Sequence, residues 1–139
     1  MFVLDNSVSM RWLLPTQRQI DQNYAEAVLQ NLIKTETVVP QLWRLEVVNV
    51  ILTAEKHKQL ELGKAERFIL RLQNLPIQID SLTTQQAFSK TFPLARNHKL
   101  SSYDAAYLEL AMRRQLPLAT LDKELRKAAE RAKVKLYLA

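Results

Sequence analysis

Short apolar runs alternate along the chain with longer amphipathic stretches, which predicts alternating strands and helices. Runs bounded by proline or polar residues predict five strands, at Phe2 to Leu4, Thr37 to Pro40, Ile77 to Ile79, Leu116 to Ala119 and Val134 to Tyr137. Helical periodicity predicts helices at Gln22 to Lys34, Leu42 to Lys58, Lys64 to Gln73, Thr84 to Asn97, Ser102 to Arg113 and Asp122 to Arg131. Strands separated by helices pair in parallel, with helices on both faces of the sheet. The sequence therefore predicts an α/β fold, a three-layer α/β/α sandwich around a mostly parallel sheet of about five strands.

One segment of this pattern predicts a helical hairpin. The only glycine, Gly63, lies between the second and third predicted helices, where it can supply the turn conformation. Neither an internal repeat nor a linker rich in glycine, proline or serine interrupts the chain. We therefore expect one domain over residues 1–139.

Composition and charge narrow the classes of function. With 47% hydrophobic residues in a chain of 139, disorder is not expected. The absence of cysteine excludes disulfides, thiol nucleophiles and cysteine-based metal sites. We expect neither a signal peptide nor a membrane span, and a cytoplasmic location. The net charge of +6 favours polyanionic partners.

Three acidic residues stand where a predicted strand passes into a helix: Asp5, Asp104 and Asp122. In an open α/β sheet, chemistry gathers outside the carboxyl ends of the strands, so these side chains can converge there. Each also has a simpler interpretation, because aspartate commonly caps a helix or complements its dipole. Asn6 and Ser7 follow Asp5 and can either assist such a site or cap the local turn.

A fourth acid, Glu46, lies in a helix that is apolar around most of its circumference. A buried carboxylate is costly, so Glu46 needs a partner or a water-filled cleft, and Asn49 and Thr53 would extend a polar stripe along its face. The alternative is a pairing with an arginine or lysine. Thr120, two residues before Asp122, can orient a metal-bound water or an acid, or can cap a helix.

If the four acids converge, their repulsion requires compensation. Two unit charges ~4 Å apart repel by about 4 kcal/mol at an effective dielectric near 20. Protonation or a hard divalent cation relieves such repulsion, and Mg²⁺ and Mn²⁺ suit oxygen-only ligands and phosphate substrates. The cluster and the basic remainder of the chain together indicate phosphodiester chemistry.

Other functions fit the sequence less well. A phosphatase of the haloacid dehalogenase type requires a second aspartate two positions after the first, where this chain has Ser7. A single glycine cannot build a phosphate-binding glycine-rich loop. The main alternative is a non-catalytic nucleic-acid or protein-binding module with the same fold, which would not need four converging acids.

Four segments resemble a known family, the PIN-domain ribonucleases and in particular the VapC toxins of toxin–antitoxin pairs. The similar segments are Leu4 to Val8, Pro40 to Asn49, Ser102 to Ala111 and Leu116 to Leu125. They extend from the first predicted strand to the last predicted helix. Leu60 to Arg96 carries no distinctive match.

The resemblance implies an endoribonuclease that depends on Mg²⁺ or Mn²⁺, is commonly a homodimer, and is silenced by a cognate antitoxin. Carried over by position, the family's acidic site falls on Asp5, Glu46, Asp104 and Asp122, with Thr120 as its hydroxyl companion. The acids are then the expected catalytic and metal-binding residues, and RNA is the expected substrate. Separately, the basic residues at the ends of two predicted helices are candidates for phosphate contacts, or simply solvated charges: Lys56, Lys58, Arg113 and Arg114.

Overall fold

Four parallel strands form the sheet. In the computed structural model, which describes residues 1–139, these are β1 (Phe2–Leu4), β2 (Thr37–Val39), β3 (Ile77–Ile79) and β4 (Leu118–Ala119). They lie in the order β3-β2-β1-β4, and each neighbouring pair is parallel. The predicted parallel α/β fold is confirmed.

Seven α-helices connect the strands. They are α1 (Asn6–Ser9), α2 (Gln19–Asn31), α3 (Trp43–Lys56), α4 (Lys64–Gln73), α5 (Phe92–His98), α6 (Ser102–Arg114) and α7 (Lys123–Arg131). The chain adds β2 and β3 on one side of β1 and β4 on the other. Right-handed connections therefore put helices on both faces of the sheet, which gives the predicted three-layer arrangement.

The sheet has four strands rather than the five expected. The segment from Val134 to Tyr137 contributes only an isolated parallel bridge, between Leu136 and Leu118. Lys133 and Leu138 flank this bridge with φ angles of 60° and 55°. Because such left-handed conformations cannot continue a strand, pairing ends after one bridge.

The helix expected from Thr84 to Asn97 is also interrupted. Residues Ala87–Thr91 form a π-helical turn, in which the Thr91 amide donates to the Gln86 carbonyl at 3.0 Å, and α5 begins only at Phe92. Pro93 lacks an amide hydrogen and its ring crowds the carbonyl four residues earlier, so a regular α-helix cannot pass through it.

The core lies between the sheet and α6. Strand β1 is fully buried, and α6 is buried without interruption from Ala105 to Ala111. This continuous apolar character is typical of parallel sheets that are covered on both faces. Gly63, with a φ of 89°, precedes α4 in the turn after α3, as predicted. None of the helices is both long and apolar enough to span a membrane.

Candidate active site

Strands β1 and β4 end side by side and place Asp5 next to Thr120. Leu4 is opposite Ala119 in the parallel register, and the Asp5 amide donates to the Ala119 carbonyl at 2.9 Å. Strand order reverses here, because β2 lies on one side of β1 and β4 on the other. Crevices at such reversals are the usual ligand sites of open α/β sheets.

Two hydroxyl groups fix the Asp5 carboxylate. Ser7 Oγ donates to Asp5 Oδ2 at 2.6 Å, and Thr120 Oγ1 donates to the same oxygen at 2.7 Å. Asp5 is 4% exposed and stands at the start of α1, yet its side chain makes no capping hydrogen bond. The capping interpretation of Asp5 is therefore wrong, and its Oδ1, which receives no hydrogen bond, is left for a ligand.

Backbone hydrogen bonds hold these hydroxyl groups in turn. The amide of Leu121 donates to Ser7 Oγ at 2.9 Å, and the amide of Asp122 donates to Thr120 Oγ1 at 3.0 Å. Each hydroxyl accepts from the β4–α7 connection and donates to Asp5. Thr120 thus orients an acid, one of the two roles expected for it, and does not act as a helix cap.

Glu46 reaches the cleft from α3 and is paired with a tyrosine. The hydroxyl of Tyr107, a fully buried residue of α6, donates to Glu46 Oε1 at 2.5 Å. No arginine or lysine forms an ion pair with Glu46. The partner that its apolar helix required is therefore a neutral hydroxyl, which leaves the negative charge uncompensated.

Asp104 and Asp122 begin α6 and α7, but only Asp122 caps its helix. Ser101 caps α6 by accepting from the Asp104 amide at 3.1 Å, so the Asp104 carboxylate is not used in capping. Asp122 Oδ1 accepts from the Leu125 amide at 2.8 Å. Asp122 therefore has the structural role that its sequence context allowed, and its other oxygen makes no hydrogen bond in the chain.

The charges of these acids act on one another. Burial raises the pKa of Asp5, and the charge of Asp122 adds to this, against the hydrogen bonds from Ser7 and Thr120. Burial also raises the pKa of Glu46 to about 7, opposed by the Tyr107 hydrogen bond and reinforced by Asp5 and Asp104. Burial, Asp5 and Asp122 raise the pKa of Asp104 to about 6. The four predicted acids therefore face one cleft, and none takes part in an ion pair.

A family model described as PIN domain matches residues 2–131, which includes every element that contributes to this cleft. The chain belongs to the PIN domain family. PIN domains are generally nucleases that use divalent metal ions. No curated protein sequence matches the chain.

Solved structures share the fold of this PIN domain. FitAcB from Neisseria gonorrhoeae is 20% identical with a TM-score of 0.64, over 99% of this chain and 96% of that one. PAE2754 from Pyrobaculum aerophilum is 18% identical with a TM-score of 0.63, over 91% and 83%. A toxin–antitoxin complex from Klebsiella pneumoniae is 17% identical with a TM-score of 0.61, over 88% and 87%.

The side chains of the cleft suit a hard divalent cation in their chemistry. All candidate donors are carboxylate or hydroxyl oxygens, which Mg²⁺ and Mn²⁺ prefer. No three acidic or histidine side chains lie close enough together to hold one ion between them. Mg²⁺ usually binds through one or two carboxylates and keeps several waters, so a closed set of three is not required. The raised pKa values of Asp5, Glu46 and Asp104 indicate a site that favours added positive charge.

Two features of the site were not predicted from the sequence. Tyr107 was not recognised as the partner of Glu46, although it lies one helical turn after Asp104, the spacing that puts two side chains on the same face. Arg113 is not available for RNA, because it donates to Asp80 Oδ2 at 2.7 Å and to Glu109 Oε2 at 2.8 Å. Arg114 is exposed, as expected for a phosphate contact.

Proposed function

We propose that this PIN domain is a metal-dependent endoribonuclease that hydrolyses phosphodiester bonds of RNA. The observation that carries the proposal is a cleft with four carboxylates and no cationic partner, at the strand-order reversal of an open α/β sheet. Removing these four from the 14 acidic residues leaves ten against 20 lysines and arginines. The remaining surface therefore attracts a polyanion to a cleft that would repel it without a cation.

Each residue has a distinct part in the proposed reaction. Asp5, Glu46 and Asp104 supply the oxygens that would hold Mg²⁺ or Mn²⁺, and such an ion activates water and neutralises charge on the phosphate and leaving oxygens. Ser7 and Thr120 keep Asp5 Oδ2 fixed, so that Oδ1 is aimed into the cleft.

Asp122 contributes differently. Its Oδ1 is committed to α7, so only its second oxygen can orient a water molecule or add negative charge to the site. We therefore assign to Asp122 a supporting role beside Thr120.

The decisive experiment measures cleavage of a labelled RNA by the purified protein with Mg²⁺, with Mn²⁺ and with EDTA. Asp5→Asn preserves acceptors for Ser7 and Thr120 but removes the charge, so we expect cleavage to fall by about two orders of magnitude or more, typical of the removal of a catalytic charge. Asp21→Asn is the matched control, because Asp21 pairs only with Arg18 at the surface. Undiminished cleavage in EDTA, or by the Asp5 variant, contradicts the proposal.

The same domain is proposed to be the toxin of a toxin–antitoxin pair and to form a homodimer. A protein-binding surface supports this: Leu45, Val48 and Leu52 form an exposed apolar stripe along α3, and Ile69 and Leu70 are also exposed, on α4. The partner surface expected around the two tryptophans is displaced in part, because Trp43 is only 4% exposed and belongs to the core.

Co-expression and light scattering test this second part. The wild-type chain should arrest growth, and the product of an adjacent small reading frame should relieve the arrest and bind the purified protein. Light scattering should give the mass of a dimer. A monomer that is harmless when expressed and indifferent to its genomic neighbour contradicts the toxin assignment but leaves the nuclease assignment intact.

A further inference from the structure

A cavity of about 400 Å³ adjoins the acidic cleft, and the reaction described above does not use it. Glu46 belongs to its wall, together with Asn6, which follows Asp5, and Tyr103, which precedes Asp104. The cavity therefore shares a boundary with three of the four acids. Its volume lies in the ~300–1,000 Å³ range of small-ligand pockets.

The side chains around this cavity are unusual in their lack of partners. Asn6 Oδ1 is buried and receives no hydrogen bond. Such an acceptor normally costs about 1–3 kcal/mol of desolvation, so it requires an explanation. Tyr103 is a large aromatic residue that is 60% exposed at the mouth of a cavity. Half-buried Leu42 and Val50 supply apolar surface on the α3 side.

We propose that this cavity binds one unpaired nucleobase next to the scissile phosphate and selects bases that carry an exocyclic amino group. The inference rests on the proposed ribonuclease function, since the base belongs to the same RNA strand. Bases of single-stranded RNA stack on exposed aromatic side chains, a role that Tyr103 fills here. Amide side chains recognise base edges, and Asn6 and Asn49 both lie on the cavity wall.

The preference for an amino group follows from the acceptors. Asn6 Oδ1 needs a donor, and Glu46 presents a carboxylate to the same cavity. Adenine and cytosine offer an amino group to such acceptors. Uracil offers carbonyl oxygens at the corresponding edge positions, which these acceptors repel. The cavity therefore discriminates against uridine.

Cleavage of short oligonucleotides of adenosine, cytidine and uridine tests the inference. We expect kcat/KM for the uridine substrate to be about ten-fold lower, the level of one good base contact. Tyr103→Ala should raise KM about ten-fold with little change in kcat, because the stacking platform for one base is removed. Tyr103→Phe keeps the ring and should behave like the wild type. Phe88→Ala is the control, since Phe88 is 92% exposed and does not line the cavity.

A binding measurement separates this inference from the proposed function. Titration of adenosine, cytidine and uridine, without phosphate or metal, into ¹⁵N-labelled protein should shift the side-chain amide signals of Asn6 and Asn49 for the first two nucleosides only. Nucleoside binding without any RNA cleavage would keep the cavity and reject the nuclease. Cleavage that is equal for all three substrates and unchanged in Tyr103→Ala, with no amide shifts, would reject the cavity and keep the nuclease.

Discussion

Replacing Glu46 with glutamine should stabilise the fold while it destroys the site. The Tyr107 hydroxyl donates to Glu46 Oε1, and a glutamine carbonyl at the same position accepts that hydrogen bond. The substitution therefore removes the negative charge and little else. Because burial and the charges of Asp5 and Asp104 oppose ionisation of Glu46, the neutral side chain should be the more stable one.

The size of the effect follows from the pKa. In the unfolded chain Glu46 ionises near its ordinary value of 4.5, and in the folded protein at about 7. A ten-fold change in an ionisation constant corresponds to ~1.4 kcal/mol, and the full difference is reduced roughly by half because Glu46 faces a solvated cleft. We expect Glu46→Gln to add about 1–2 kcal/mol at pH 8, or roughly 5 °C in Tm for a domain of this size.

The sign of the pH dependence provides a second check. A carboxyl whose folded pKa is raised contributes stability below about pH 4.5, and this stability is lost as the pH rises towards about 7. The gain from Glu46→Gln should therefore be small at pH 5 and full at pH 8, as measured by urea unfolding in EDTA. Glu124→Gln, at an exposed position, should change neither value. A variant that is less stable than the wild type at pH 8, or equally changed at both pH values, would refute the electrostatic reasoning.

Three further perturbations probe other parts of the molecule. Arg113→Ala leaves the buried carboxylates of Asp80 and Glu109 without their cation and should cost about 3–5 kcal/mol in urea unfolding, whereas exposed Arg114→Ala should cost little. Thr120→Val removes a hydrogen bond to Asp5, which should raise the pKa of that carboxyl further and move the acid limb of the pH–activity profile to higher pH; Thr120→Ser should leave the profile in place. For RNA binding by the cleavage-inactive Asp5→Asn protein, the log–log salt slope should flatten by about 0.7 for each lysine or arginine removed from a phosphate, as in Lys56→Ala, and an unchanged slope would remove Lys56 from the interface.

The sequence contains enough information to place the acids because their positions depend on local patterns. Asp5 and Thr120 each follow a short apolar strand, and parallel strands bring their carboxyl ends to one edge. Glu46 stood out because an apolar helix makes a lone carboxylate conspicuous. These inferences require only the order of the elements and their periodicity.

Interactions between distant segments could not be predicted in the same way. Arg113 looked like a surface charge at a helix end, but Asp80, 33 residues away, folds back onto it. Burial alone would raise the pKa of Asp80, yet the hydrogen bonds from Arg113 and Thr83 lower it overall, which shows how fully this cation is used. Similarly, the fifth strand was not excluded by its apolar pattern, because the left-handed residues at either end are a lysine and a leucine.

Tyr107 explains how the core can tolerate a charged cleft at its edge. Burial, the charges of Asp5 and Glu46, and the hydrogen bond to Glu46 all hold the pKa of Tyr107 well above its usual value. The hydroxyl therefore remains protonated at physiological pH and acts as a permanent donor. A lysine at the same place would neutralise Glu46 and compete with a cation for it. A tyrosine orients the carboxylate from within the packed helix α6 and leaves its charge available, so the fold keeps the repulsion that a divalent ion can relieve.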